Sequence, residues 1–322
     1  MFKRLLIVKT SSLGDVVHML PAVSDIRQAH PELMIDWLVE ENFTAIPALH
    51  PGVHRVIPVA LRRWRRTLLQ LRVWREFAEF QTALGRDRYD YILDSQGLLK
   101  SAWLCRLARG TRYGLDRASA REPLAAGWYD ATFRVPRDQH AVDRNRELAA
   151  CVLGYPVPVG LPDYGIGASV SPLPELPADY VVCLHGASRV SKCWPREHWV
   201  ALIQALAGEN LIAVLPWGSP AERMTAEAIS SVSGAMVLPK LNINELTGVL
   251  ASARVVVGMD TGLSHLAAAL GRPTVALYLE TSPQLTGVIS SAFGHTINLG
   301  DKGLPPAVPE VLEAVRCLRI SE

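Results

Sequence analysis

Short runs of Val, Ile and Leu recur along the chain, and most are followed by a longer stretch in which apolar residues return every three or four positions. The runs predict strands over residues 4–9, 34–39, 55–59 and 89–94, and again over 180–184, 211–215, 236–238, 255–258 and 274–279. The helical spacings predict helices over 15–30, 64–84 and 98–108 in the first half. In the second half they predict helices over 196–206, 221–232, 243–251 and 264–270. Strands that are apolar throughout, rather than alternating, suit sheets buried on both faces. Their alternation with helices predicts α/β architecture with parallel sheets.

Between residues 156 and 177 the pattern stops. Six prolines and three glycines fall there, which is linker composition. The series on either side are similar in kind, so the chain is read as two Rossmann-like domains facing across a cleft. Residues 1–155 form the first, 156–178 the linker and 179–322 the second, with a C-terminal helix free to cross back. In open α/β sheets ligands bind beyond the carboxyl ends of the strands, so the loops after the strands are where chemistry is expected.

Composition narrows this only slightly. With 322 residues, 49% hydrophobic and 20% charged, the chain is globular and large enough for two cores. The five cysteines are scattered without a Cys-x-x-Cys pair, so neither a zinc site nor a disulfide framework is expected. No apolar stretch is long enough for an export signal or a membrane span, which predicts a cytoplasmic protein.

Charge changes the picture more. Residues 1–165 hold 23 Lys/Arg against 18 Asp/Glu, whereas residues 166–322 hold 10 against 13. From residue 42 to residue 75 there is no carboxylate but there are seven arginines: Arg55, Arg62, Arg63, Arg65, Arg66, Arg72 and Arg75. With nothing nearby in sequence to pair them, they predict an anion-binding surface. Trp64 either packs under this segment or rests at a membrane interface.

Three loops carry candidate chemistry. The first, Lys9-Thr10-Ser11-Ser12-Leu13-Gly14-Asp15, follows the first strand and opens a helix. Ser11, Ser12 and Asp15 are all able to cap that helix, and Asp15 is also placed to take a proton from an acceptor hydroxyl. A helix N-terminus favours the ionised carboxylate and makes it a weaker base, so positioning must supply much of its effect. The second loop runs from His185 to Pro195, where Ser188 and Lys192 are potential donors to phosphate oxygens. The third, Gly258-Met259-Asp260-Thr261-Gly262-Leu263-Ser264-His265, opens another helix whose free N–H groups suit a diphosphate. Gly-x-Gly-x-x-Gly, Walker A, His-Glu-x-x-His and Gly-x-Ser-x-Gly patterns are all absent.

Taken together, the loops resemble the ADP-heptose:lipopolysaccharide heptosyltransferases, inverting enzymes with the two-Rossmann GT-B fold. The similarity rests on Lys9 through His18 with Leu20-Pro21-Ala22, on Asp94-Ser95-Gln96-Gly97-Leu98-Leu99-Lys100-Ser101, on Arg121-Glu122-Pro123-Leu124, on Leu215-Pro216-Trp217-Gly218 and on Asp260 to His265. Leu61-Arg62-Arg63-Trp64-Arg65 and Gln139-His140-Ala141-Val142 resemble the type I branch, which adds the first heptose to the Kdo of Kdo2-lipid A. The sequence departs from the family pattern at Ala187-Ser188, at Val190-Ser191 and at Tyr278-Leu279-Glu280-Thr281.

The resemblance implies roles by position. Asp15 is the catalytic base and Lys192 stabilises the leaving diphosphate. Ser188, Lys192, Glu222, Asp260, Thr261, Gly262 and His265 bind the donor, ADP-heptose. Ser12, Arg62, Arg63, Arg65, Arg121 and His140 face the anionic acceptor, Kdo2-lipid A. No cofactor, metal or nucleic acid is implied. The expected enzyme is a monomer held peripherally at the cytoplasmic face of the inner membrane. The rivals are another nucleotide-sugar enzyme of the same architecture and a non-catalytic two-domain binding protein. Asp15 argues against the latter.

Overall fold

The computed structural model describes residues 3–67, 69–167, 176–187, 189–289 and 296–320. The chain divides into two units, Met1–Gly165 and Ile166–Glu322. The first runs β1 (Arg4–Val8), α1 (Leu13–Val17), α2 (Leu20–Ala29), β2 (Met34–Glu40), α3 (Ala45–Ala48), β3 (Val53–Val59), α4 (Leu61–Trp64), α5 (Leu71–Gly85), β4 (Arg88–Asp94), α6 (Leu99–Leu107), β5 (Arg109–Leu115), β6 (Ala131–Phe133) and α7 (Ala141–Leu153). The second runs β7 (Tyr180–Leu184), α8 (Arg196–Ala207), β8 (Ile212–Leu215), α9 (Pro220–Ser233), β9 (Met236–Val237), α10 (Ile243–Ala251), β10 (Val255–Met259), α11 (Gly262–Ala269), β11 (Thr274–Leu277), α12 (Pro283–Thr286), β12 (Thr296–Leu299) and α13 (Val308–Ile320).

Each unit holds one six-stranded sheet, and the strand pairs are parallel. The order is β3-β2-β1-β4-β5-β6 in the first and β12-β11-β10-β7-β8-β9 in the second. Counted from each unit's first strand, both follow 3-2-1-4-5-6, the Rossmann order. Strand order therefore reverses between β1 and β4 in one unit and between β7 and β10 in the other. Loops leaving the carboxyl ends of those four strands border the natural ligand crevice of each sheet.

The apolar runs are the cores. Leu6, Val8, Leu38, Ile57 and Ile92 are buried beneath Val73, Phe80 and Leu84 of α5 and Leu104 of α6. In the second unit Val181, Cys183, Val255 and Val257 pack under Trp199 and Leu202 of α8 and Val311 and Val315 of α13. Each such side chain contributes about 1.5–3 kcal/mol on burial. Tyr278, in the segment that departs from the family pattern, is itself buried.

Two expected helices are broken, and each break has a cause. The stretch 15–30 divides into α1 and α2 because Pro21 lacks an N–H, and its ring would strike the carbonyl of Val17, the last residue of α1. The stretch 64–84 divides into α4 and α5. Arg63 donates to Glu76 at 2.7 Å, and Trp64 Nε1 donates to the same carboxylate at 3.1 Å. On one straight helix, residues 13 apart would lie about 20 Å from each other. Trp64 is consequently buried, edge-on to Phe77 and Phe80, and is not an interfacial residue.

The arginine segment also needs correction. Arg55 is bound to Asp36 and Asp87 at 2.6 and 2.7 Å, Arg63 to Glu41 and Glu76, and Arg72 to Glu76. Glu41 and Glu76 are the first carboxylates on either side of the run, so folding brings both ends back onto it. Arg62, Arg65, Arg66 and Arg75 have no ion-pair partner among the described residues.

Candidate functional site

The carboxyl end of β1 delivers Lys9-Thr10-Ser11-Ser12 to the first switch point. Ser12 caps α1, and its N–H and hydroxyl donate to Asp15 Oδ2 at 2.7 and 2.9 Å. Asp15 is half-buried, so its carboxylate is held by its own helix start and still reachable. Beneath it Lys9 is buried, with Nζ donating to Ser95 O at 2.9 Å and Asn145 Oδ1 at 3.4 Å. Burial pulls the Lys9 ammonium below its ordinary pKa, against the opposing pull of the Asp15 and Asp94 carboxylates.

The loop leaving β4 meets this one. Asp94 is fully buried and receives Tyr129 Oη–H at 2.7 Å and the N–H of Gln96 at 2.8 Å. Burial raises its pKa, and those donors counter the rise. The Tyr129 ring reaches Asp94 across Gly114 of β5, where a Cβ would collide with it.

The expected acceptor residues fall at different places around the first sheet. Arg121 follows the β4–α6 turn closely: a Cβ on Gly97, whose φ is +64°, would sit 3.3 Å from the Arg121 N. His140 accepts from Val142 N at the start of α7, and its ring lies edge-on to His18 at 5.7 Å. Arg62 lies over the Phe43 ring at 5.3 Å, and its N–H donates to Glu40. Glu40 N in turn donates to Thr10 O at 3.1 Å, so α4 is linked to the β1 loop through one residue. Arg63 is occupied by its two carboxylates, whereas Arg65 is exposed.

At the second switch point, Lys192, Asp260 and His265 come together. Lys192 Nζ is 2.9 Å from Asp260 Oδ2, Thr281 Oγ1 donates to the same oxygen at 2.7 Å, and His265 Nε2 lies 3.9 Å from Oδ1. Burial works to raise the Asp260 pKa, but the neighbouring His265, Lys192 and Thr281 outweigh it and hold the carboxyl well below the usual range. Thr261 is the N-cap of α11 and Gly262 its first residue, so the N–H groups of that helix open beside the ion pair.

Glu222 stands apart from that cluster. Its carboxylate receives Gly218 N and Ser219 N at 2.7 and 3.1 Å as part of the α9 cap, and it lies against Gly186 of the β7 loop. Ser188 lies outside the described residues. Sequence reasoning gave no role to Lys9, Gln96, Asn145 or Thr281. Lys9 and Gln96 fall within the motifs that begin at Lys9 and at Asp94, but nothing in a linear sequence shows that residues 9, 96 and 145 meet.

Two six-stranded parallel sheets in Rossmann order, each with polar loops at its reversal point, define the α/β class of GT-B-like enzymes. Within that class the chain belongs to glycosyltransferase family 9, the heptosyltransferase family, whose model matches residues 77–303. It is 47% identical to the lipopolysaccharide heptosyltransferase 1 of Pseudomonas aeruginosa over 294 residues, covering 91% of this chain and 83% of that protein. It is similar to the E. coli heptosyltransferase WaaC solved with ADP, at a TM-score of 0.89 and 42% identity, covering 97% of this chain and 99% of the other. The same enzyme solved with ADP-2-deoxy-2-fluoro heptose gives a TM-score of 0.85 and 42% identity, covering 99% of each chain.

Proposed function

We propose that this chain transfers heptose from ADP-heptose to the Kdo of Kdo2-lipid A by a single displacement with inversion. The observation that carries the reading is the division of chemistry between the switch points. One presents a half-buried carboxylate, Asp15, at a helix start; the other presents a lysine, Lys192, beside an open helix N-terminus.

In the reaction, Asp15 takes the proton of the acceptor hydroxyl as its oxygen bonds to the anomeric carbon of the heptose. The bond from that carbon to the diphosphate breaks, and ADP departs with negative charge growing on its terminal phosphate. Lys192 and the N–H groups of α11 stabilise that charge, an electrostatic contribution already in place before the reaction. Asp260 holds Lys192, with Thr281 and His265 holding Asp260. The heptosyltransferase named among the relatives was solved with ADP and with a fluorinated ADP-heptose, which supports the choice of donor. The test is a panel of nucleotide sugars and acceptors read by mass spectrometry. Heptosylated acceptor should form only with ADP-heptose and a Kdo-bearing acceptor; equal transfer from another sugar nucleotide would overturn the donor assignment.

The acceptor assignment rests on the uncommitted arginines. Arg65→Ala is expected to raise the acceptor KM about tenfold, leave the donor KM unchanged and weaken the salt dependence of acceptor binding. Arg63→Ala tests the same surface less cleanly, since it also breaks the ion pairs with Glu41 and Glu76. An unchanged acceptor KM for Arg65→Ala at low salt would move the acceptor site elsewhere.

A membrane-surface location belongs to the same reading. Among the described residues no helix is long and apolar enough to cross a membrane. Leu69, Leu71 and Trp74 are 101%, 83% and 58% exposed beside Arg65, Arg66 and Arg75. Apolar side chains projecting among free guanidinium groups suit an anionic lipid surface. Leu69→Ser with Leu71→Ser should therefore reduce sedimentation with phosphatidylglycerol vesicles several-fold, with little change in turnover on a water-soluble Kdo acceptor. Unchanged sedimentation would assign the patch another role.

A further inference from the structure

We propose that Gln96 is a positioning residue for the transfer reaction: its side-chain amide fixes the backbone of Thr10 and Ser11, and through it the loop that presents Asp15. The inference rests on the reading of Asp15 as the base.

Pairing with β2 continues past Val8, Lys9 N donating to Leu38 O and Thr10 O receiving Glu40 N, so the first N–H groups not taken by a neighbouring strand are those of Thr10 and Ser11. Gln96 takes over from the sheet. Its Oε1 accepts from Thr10 N at 2.9 Å and Ser11 N at 3.2 Å, while its Nε2 donates to Ser11 O. The next N–H along the chain, that of Ser12, goes to Asp15 Oδ2. Three consecutive N–H groups are therefore assigned in order, two to Gln96 and the third to Asp15. A displacement of Ser11 shifts both donors that orient the Asp15 carboxylate.

The gripping residue is itself gripped. Gln96 is buried, and its own N–H is held by Asp94 Oδ1, which also receives Gly97 N at 3.3 Å. Asp94 is anchored by Tyr129, and Gly97 takes the left-handed conformation that turns the chain back toward Arg121. From the opposite side Lys9 Nζ reaches Ser95 O. Each loop thus sends one side chain into the backbone of the other, so the two move as one body. A neutral primary amide accepts two N–H bonds on its oxygen while its nitrogen donates to a carbonyl. Glutamate lacks the donor and leucine lacks all three bonds.

The test is steady-state and single-turnover kinetics of Gln96→Leu and Gln96→Glu, each made alone and with Asp15→Asn. Alone, each should lower kcat about 10- to 100-fold, the scale of a small misplacement of a reacting group. The KM for ADP-heptose and the KM for a soluble Kdo acceptor should stay within about twofold. With Asp15→Asn already present, either change should cost less than about twofold more, since the positioned group is gone. An equal fold-loss in both backgrounds, or unchanged kcat in the single variants, overturns the proposal. Gln96→Glu carries the same test if Gln96→Leu does not fold. Near wild-type turnover of Asp15→Asn alone is a different failure, that of the base assignment.

Discussion

Asp15→Asn is expected to lose about 10²–10⁴ in the rate of heptosyl transfer, the range for removal of a general base, while still binding ADP-heptose. Asparagine is the more telling substitution than alanine. Asp15 Oδ2 also receives the N–H and hydroxyl of Ser12, and loss of such a cap costs about 0.5–2 kcal/mol by itself. Alanine removes cap and base together, whereas the asparagine carbonyl keeps the cap and cannot take the proton. Stopped turnover with an unchanged unfolding temperature therefore isolates the base. If Asp15→Asn turns over normally while Asp15→Ala does not, the carboxylate serves only as a cap.

Lys192→Ala should weaken ADP affinity and slow turnover together. A charge-assisted contact to phosphate is worth roughly 1.5–3 kcal/mol, which corresponds to about 10- to 150-fold. The ion pair with Asp260 sharpens the expectation. Lys192 stands 2.9 Å from a carboxylate held well below the usual range, so it is already aimed before a nucleotide arrives. Its removal also leaves Asp260 with Thr281 and His265 alone, putting an unbalanced negative charge beside the proposed diphosphate position. Asp260→Asn is the control: it keeps an acceptor for Thr281 and relieves the repulsion, so the double variant should bind ADP better than Lys192→Ala. Unchanged ADP affinity and turnover in Lys192→Ala would make the lysine an ordinary loop residue.

The sheets were legible because fully apolar strands such as Leu5–Leu6–Ile7–Val8 and Val255–Val256–Val257 announce burial on both faces. β5 and β6 were not. Arg109-Gly110-Thr111-Arg112-Tyr113-Gly114-Leu115 carries two arginines and two glycines, and Gly114 is there to make room for Tyr129 rather than to form a strand. β6 has three residues and no periodicity to read. The candidate site was legible where chemistry is written in adjacent residues, as in Asp260 to His265. It was illegible where it depends on pairs far apart. Arg63 read as an unpaired cation because Glu41 and Glu76 lie 22 and 13 residues away. Thr281 read as a departure from pattern, yet its hydroxyl supports Asp260 across 21 residues.

The order in which the chain leaves the ribosome gives the β1 loop an uneven history. Lys9 and Asp15 are made well before the groups that hold their loop. Gln96 follows Thr10 by 86 residues, and Asn145 follows Lys9 by 136. At roughly 5–20 residues per second, the loop waits on the order of ten seconds for α7. Until then the Lys9 ammonium has no Asn145 to meet, and the β4 partner strand for β1 has only lately emerged. A nascent chain stalled before residue 141 would thus hold the Lys9 loop without its α7 contact, and the stretch bearing Asp15 should be cut by protease more readily than in the finished protein.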